Sequence, residues 1–171
     1  MRRRSAVVVV VLSIALSACG RAEAGPEPAG RNPSPVSKMV CSTEAKEKLG
    51  QALGHDPTAV TTPTWNAHLY SCTYEFPQGT MVLSVKELSS VDQTTAYFDS
   101  RARQLGRKHV LYGLGQGAFL TDDGSVVARK DYKVLTVDTS GLPSGFGAGD
   151  GASGTPAQVV TSVIMGCWAG D

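Results

Sequence analysis

The side chains that could do chemistry are few and scattered. His55, His68 and His109 could move protons or hold a metal, but they stand in three separate regions. No H-E-x-x-H, no i,i+4 pair and no cysteine at zinc spacing accompanies them. Each reads as an ordinary surface or core residue. Arg101, Arg103, Arg107 and Lys108 crowd together as an anion clamp would. They also fall at the end of a predicted helix, where cations stabilise the last turn by a few tenths to ~1 kcal/mol each, and that account suffices. The run Gly113-Leu114-Gly115-Gln116-Gly117 invites a nucleotide reading. A dinucleotide fingerprint needs G-x-G-x-x-G opening a helix after a strand, whereas here the spacing is G-x-G-x-G and the sequel alternates like a strand. Asp122-Asp123 lacks the third carboxylate and the following glutamate of a calcium loop, and reads as hairpin-turn chemistry. Ser144 sits in a Gly/Pro turn outside any G-x-S-x-G elbow. The sequence therefore predicts no catalytic residue, no metal site and no cofactor, and leaves ligand-binding residues unknown.

One cysteine is more informative. Three arginines at positions 2–4 precede an almost uninterrupted apolar run at 6–16, which closes on Leu16-Ser17-Ala18-Cys19. That is the plan of an export signal, and its apolar part falls short of the ~20 residues that span a bilayer. A cysteine directly after two small residues resembles the lipobox of bacterial lipoproteins. The resemblance implies cleavage between Ala18 and Cys19 and diacylglycerol on the Cys19 thiol, so that residues 1–18 are a signal and the membrane is a partner through lipid. The bland alternative is a plain signal that ends near a cysteine. Two acyl chains hold firmly where one binds only marginally. Of 16 Lys+Arg, three leave with the signal; the remaining 13 face 15 Asp+Glu, a net charge of about −2. That balance argues against nucleic acid and against a polybasic membrane patch. The 153 residues left are enough for one domain with a real core.

The elements that would carry such a domain follow in order. Residues 19–37 hold Pro26, Pro28, Pro33 and Pro35 with three glycines and almost no large apolar side chain, which predicts a tether with an end-to-end distance of roughly 25 Å. A single folded domain is expected over 38–171. Ser42 or Thr43 caps a first helix that stops at Gly54. Residues 55–66 read as a loop or irregular strand. Tyr70, Cys72, Tyr74 and Phe76 alternate with polar residues, and after Pro77-Gln78-Gly79 so do Met81, Leu83 and Val85, which makes a β-hairpin. Ser90 and Gln93 have capping-box spacing for a second helix with a stripe of Val91, Thr94, Tyr97, Phe98, Ala102 and Leu105, ending at Gly106. Three strands are predicted near 119–121, 126–129 and 134–137. Residues 139–154 contain six glycines and are expected to be a long mobile loop. Thr155 caps and Pro156 opens a third helix, with Val159, Val160, Val163, Ile164, Cys167 and Trp168 on its apolar stripe. The sum is α+β: an antiparallel sheet of about five strands with helices packed on it, in the order α-β-β-α-β-β-β-α.

With Cys19 used for lipid, three cysteines remain and at most one disulfide among them. Export favours pairing. Cys41 opens the first helix and Cys72 lies on the inward face of the first strand, so Cys41 with Cys72 is the expected bridge and Cys167 a buried thiol. Either pairing through Cys167 would mean that a different helix packs on that strand.

The lipobox, the Pro-rich tether, Cys41 at a helix start, Cys72 within Ser71-Cys72-Thr73-Tyr74, and Gly113-Leu114-Gly115 leading to Ala118-Phe119 together resemble small secreted lipoproteins of actinobacteria with uncharacterised envelope domains. The resemblance covers most of residues 38–138. It implies a protein on the outer face of the cell membrane, with a small antiparallel sheet, helices and sometimes a groove for an apolar ligand or an envelope protein partner. It brings no catalytic residues with it. Two classes of function follow, a non-catalytic binding module and, as the alternative, a lipid-anchored hydrolase whose residues converge only in three dimensions.

Overall fold

The computed structural model describes residues 27–147 and 154–169. In chain order the elements are α1 (Pro35–Met39), α2 (Thr43–Leu53), β1 (Ala59–Val60), β2 (Thr64–Asn66), β3 (Leu69–Phe76), β4 (Gly79–Glu87), α3 (Val91–Leu105), β5 (His109–Leu111), β6 (Gly117–Leu120), β7 (Val126–Lys130), β8 (Lys133–Asp138) and α4 (Pro156–Ala169). The class is α+β, as expected. The sheet, however, has eight strands rather than about five, ordered β1-β3-β4-β8-β7-β6-β5, with β2 also pairing β3, and every pairing is antiparallel. The order of elements differs from the expected one accordingly. The additional strands β1, β2 and β5 have two or three residues each. Alternation cannot declare itself over so short a run; their partners' ladders define them.

The hairpin of β3 and β4 is where the alternation placed it. Cys72, Tyr74 and Phe76 are buried on the same face as Met81, Leu83 and Val85. That face, continued by Leu135, Val137, Val126, Ala128, Ala118 and Leu120, carries the main core under α2 and α4. On the opposite face α3 lays Phe98 against Phe119, Val127 and Val134, with the two phenyl rings edge to face at 5.1 Å. The sheet is therefore covered on both faces. Val91, expected in the stripe of α3, is instead exposed, because it stands at the first helical position beyond the strand ends.

Helix ends obey their caps. Ser42 Oγ accepts from Ala45 N, and Gly54 ends α2 with φ of 67°. Ser90 Oγ accepts from Gln93 N, while Gln93 Oε1 reaches back to Ser89 N. Thr155 and Gln158 complete a reciprocal box, Gln158 N to Thr155 Oγ1 at 3.3 Å and Thr155 N to Gln158 Oε1 at 2.7 Å. Such caps contribute about 0.5–2 kcal/mol each.

Two expectations about irregular chain are corrected. The described part of the expected tether, residues 27–37, lies on the domain. Pro35 opens α1 after the cap residue Ser34, and Ser37 is fully buried. The cause is Glu87, 2 % exposed, whose carboxylate needs donors where water is excluded; Ser34 N at 2.8 Å and Ser37 Oγ at 2.5 Å supply them. Ala29 N to Leu88 O, Trp65 Nε1 to Arg31 O and Lys133 Nζ to Glu27 O fasten the rest. Composition cannot reveal such a segment, since what orders it comes from β4, β8 and the β2–β3 region. The glycine-rich loop is likewise anchored to the domain, although 140–141 and 143–145 are exposed: Phe146 is buried between His55 and Phe76, with ring centroids 4.9 Å from each. Residues 148–153 of that loop lie outside the described residues.

Cys41 and Cys72 are joined, with Cα atoms 6.0 Å apart. Cys167 is also a disulfide cysteine, which corrects the expectation of a reduced thiol. Beside the first bridge, Tyr74 Oη donates to Val40 O at 2.7 Å, and burial, with the neighbouring Tyr70 adding to it, pushes the Tyr74 hydroxyl well above its ordinary pKa.

Candidate functional site

The Gly113–Gly117 stretch, rejected above as a phosphate loop, becomes a wall. It connects β5 to β6 through two residues in the left-handed region, Gly113 at φ 78° and Gly115 at φ 61°. Gln116 locks it in place: its N–H donates to Arg129 O at 2.8 Å, and its side-chain amide both donates to Asp131 Oδ1 and accepts from Asp131 N. A Cβ on Gly115 would stand 2.5 Å from the Arg129 carbonyl oxygen and 3.4 Å from Met165 Sδ, so no other residue fits there.

Facing this wall is α4. Ser162, Met165 and Gly166 are its contribution, Lys130 from the end of β7 closes one side, and together with Gly113–Gln116 they line a groove of about 550 Å³. Met165 gives an apolar floor. Lys130 Nζ donates to Trp168 O at 2.9 Å, a cation set against the C-terminal end of α4, where the helix dipole favours it. Ser162 Oγ donates to Gln158 O at 2.9 Å. The groove's hydroxyl and amine are thus both engaged by carbonyls, and what it offers a guest is apolar surface, glycine backbone and one cation near its rim. That suits a small, largely apolar molecule.

The other candidates disperse. His55 stacks on Phe146, His68 meets the edge of Trp65 at 5.6 Å, and His109 lies on β5, so the three histidines never converge. Among the described residues no three His, Cys, Asp or Glu side chains form a metal-binding group. The Arg101-to-Lys108 cluster is no clamp: Arg107 pairs with Asp99 at 3.5 Å and lies over Phe119 and Phe98, while Arg101 donates to Gln104. Asp123 organises the 122–124 turn. Burial pulls its carboxyl upward, but hydrogen bonds from Thr121 Oγ1 and Ser125 N outweigh that and hold it below the usual carboxylate range. Cys19 lies outside the described residues, and no helix among those described is long and apolar enough to cross a membrane. Lys130, Met165 and Gly166 had no signal of their own in the sequence. No protein-family model, curated protein or solved structure matches this chain.

Proposed function

We propose that the chain is an extracytoplasmic lipoprotein of the small actinobacterial kind, anchored to the outer face of the cell membrane by diacylglyceryl-Cys19, whose domain holds a small apolar or lipidic ligand without transforming it. The observation that carries the binding reading is the groove between α4 and the Gly113–Gln116 wall, whose volume falls in the range of small-molecule sites. Its Ser162 and Lys130, each engaged by a carbonyl, support a binding role over the hydrolase alternative. An envelope protein partner is the other occupant that the lipoprotein reading allows.

Gly166 provides the test. A Cβ there meets nothing within 4 Å, and the residue is exposed on the groove side of α4. Gly166→Leu replaces a poor helix former with a good one, so helix stability rises by up to ~1 kcal/mol. The new side chain occupies the groove, and an overlap cost of about 1–3 kcal/mol predicts a roughly 5- to 150-fold loss of ligand affinity. Native mass spectrometry of protein purified from its own membrane should show an adduct on the natural chain and much less on Gly166→Leu. An equal adduct on both, or none on either, contradicts the groove.

A further inference from the structure

Three of the four exposed large apolar side chains among the described residues, and the entry of the chain, fall at the same end of the sheet. The registers Leu111↔Ala118, Ala118↔Ala128, Ala128↔Leu135, Leu135↔Val85 and Val85↔Tyr70 draw one row across it. On one side of that row lie Tyr112, which is 91 % exposed, Leu69 at 36 %, and Val91 at 54 % on the first turn of α3. Val110, the remaining exposed large hydrophobic among the described residues, lies one residue to the other side of the row. Five inter-strand steps separate β3 from β5, about 24 Å at the usual spacing, so the three side chains form a broad tripod rather than a point. Lys86, Lys130 and Lys133 lie at this end as well, each donating to a backbone carbonyl, Ala67 O, Trp168 O and Glu27 O in turn, and Lys133 is buried. Its acids are partly engaged, Glu87 by Ser34 and Ser37 and Asp131 by Gln116, while Asp92 stands in the first turn of α3. The opposite end carries Asp122, Asp123 and Asp138.

Glu27 reaches the domain at the tripod end, where its carbonyl accepts from Lys133 Nζ and where Ala29 N donates to Leu88 O. With residues 27–37 packed, only eight residues run from position 19 to 26. They span at most ~28 Å fully extended and roughly 16 Å as a coil, which is shorter than the 25 Å stand-off that composition suggests.

From these placements we infer that the end of the sheet bearing Tyr112, Val91 and Leu69 is a second, direct contact with the phospholipid surface. The inference rests on the Cys19 anchor of the proposed function. A short leash that enters beside the tripod turns this end toward the bilayer. A tyrosine this exposed has the chemistry of the headgroup region, with the ring among upper acyl segments and its hydroxyl among phosphates. The groove, lined by Gly113–Gln116 and Lys130, then opens at the lipid interface.

Tyr112→Trp and Lys108→Trp, made separately in the full lipidated chain, test this in vesicles of phosphatidylcholine and phosphatidylglycerol brominated in the upper acyl chain. Lys108 is exposed, and its N–H donates to Leu120 O at the far end of the sheet. After subtraction of the natural tryptophan signal, the indole at position 112 should be quenched about twofold or more over that at position 108, as interfacial aromatics lie at headgroup level. Val91→Trp should follow position 112. Equal quenching at 108 and 112 in protein that floats with the vesicles overturns the inference and leaves the anchor standing. Protein that does not float overturns the anchor and, with it, this contact.

Discussion

Replacing both Cys41 and Cys72 by serine is expected to lower the unfolding free energy by about 3 to 4 kcal/mol, the chain-entropy value for closing a loop of about 30 residues. The bridge spans a sequence separation of 31 and ties the α1–α2 junction to the inward face of β3. Without it, the segment that carries Val40 and the start of α2 would depend on the Tyr74 hydrogen bond and on core contacts to stay on the sheet. Urea unfolding of the double variant against the natural protein, both under non-reducing conditions, measures the difference directly. A loss below ~1 kcal/mol would mean that the junction is already held in the unfolded chain, or that the bridge does not form in the exported protein.

The second large effect is expected in a loop that composition marks as mobile. Phe146→Ala should cost about 3 kcal/mol or more, the usual range for emptying a phenylalanine site in a core. Phe146 is 5 % exposed, and its ring is shared between His55, just past α2, and Phe76, the last residue of β3. Gly147, at φ 66°, follows immediately and packs against Leu53, so the loop is held over the end of α2 as well. Chemical denaturation checks the number. An unchanged midpoint would show that residues 139–147 leave the domain in solution.

These two cases mark how far the residues alone lead. The β3–β4 hairpin and the caps of the helices are legible because their signals are local: period-two alternation over eight residues, Ser42 before an apolar period, Gly54 after it, Thr155 directly before Pro156. The Cys41–Cys72 bridge follows from the same local facts, once a helix start and an inward strand position are known. What is not legible depends on distant partners. The five-residue α1 looks like tether because the group that orders it, the Glu87 carboxylate, is 50 residues from Ser37. Phe146 looks like a lone aromatic among glycines because His55 and Phe76 are far off in the chain. The Gly113–Gln116 turn can be judged against phosphate motifs, but its use as a wall depends on Met165 and Gly166, about fifty residues on, and neither carries a pattern that would single it out.

The anchor is decided at the thiol of Cys19, because one sulfur cannot carry both a thioether to diacylglycerol and a disulfide. In a chain of four cysteines with Cys41 joined to Cys72, lipid on Cys19 and an intrachain disulfide of Cys167 are alternatives. The most direct measurement is the intact mass and non-reducing peptide map of protein recovered from the membranes of cells making the full chain, beside the same analysis of Cys19→Ser. The expected result is a mature N-terminus at Cys19 bearing diacylglycerol on the natural chain, and for Cys19→Ser either unprocessed precursor or protein lost from the membrane pellet. A mature N-terminus elsewhere with membrane association unchanged in Cys19→Ser, or Cys19 recovered in a peptide crosslinked to Cys167, would contradict it.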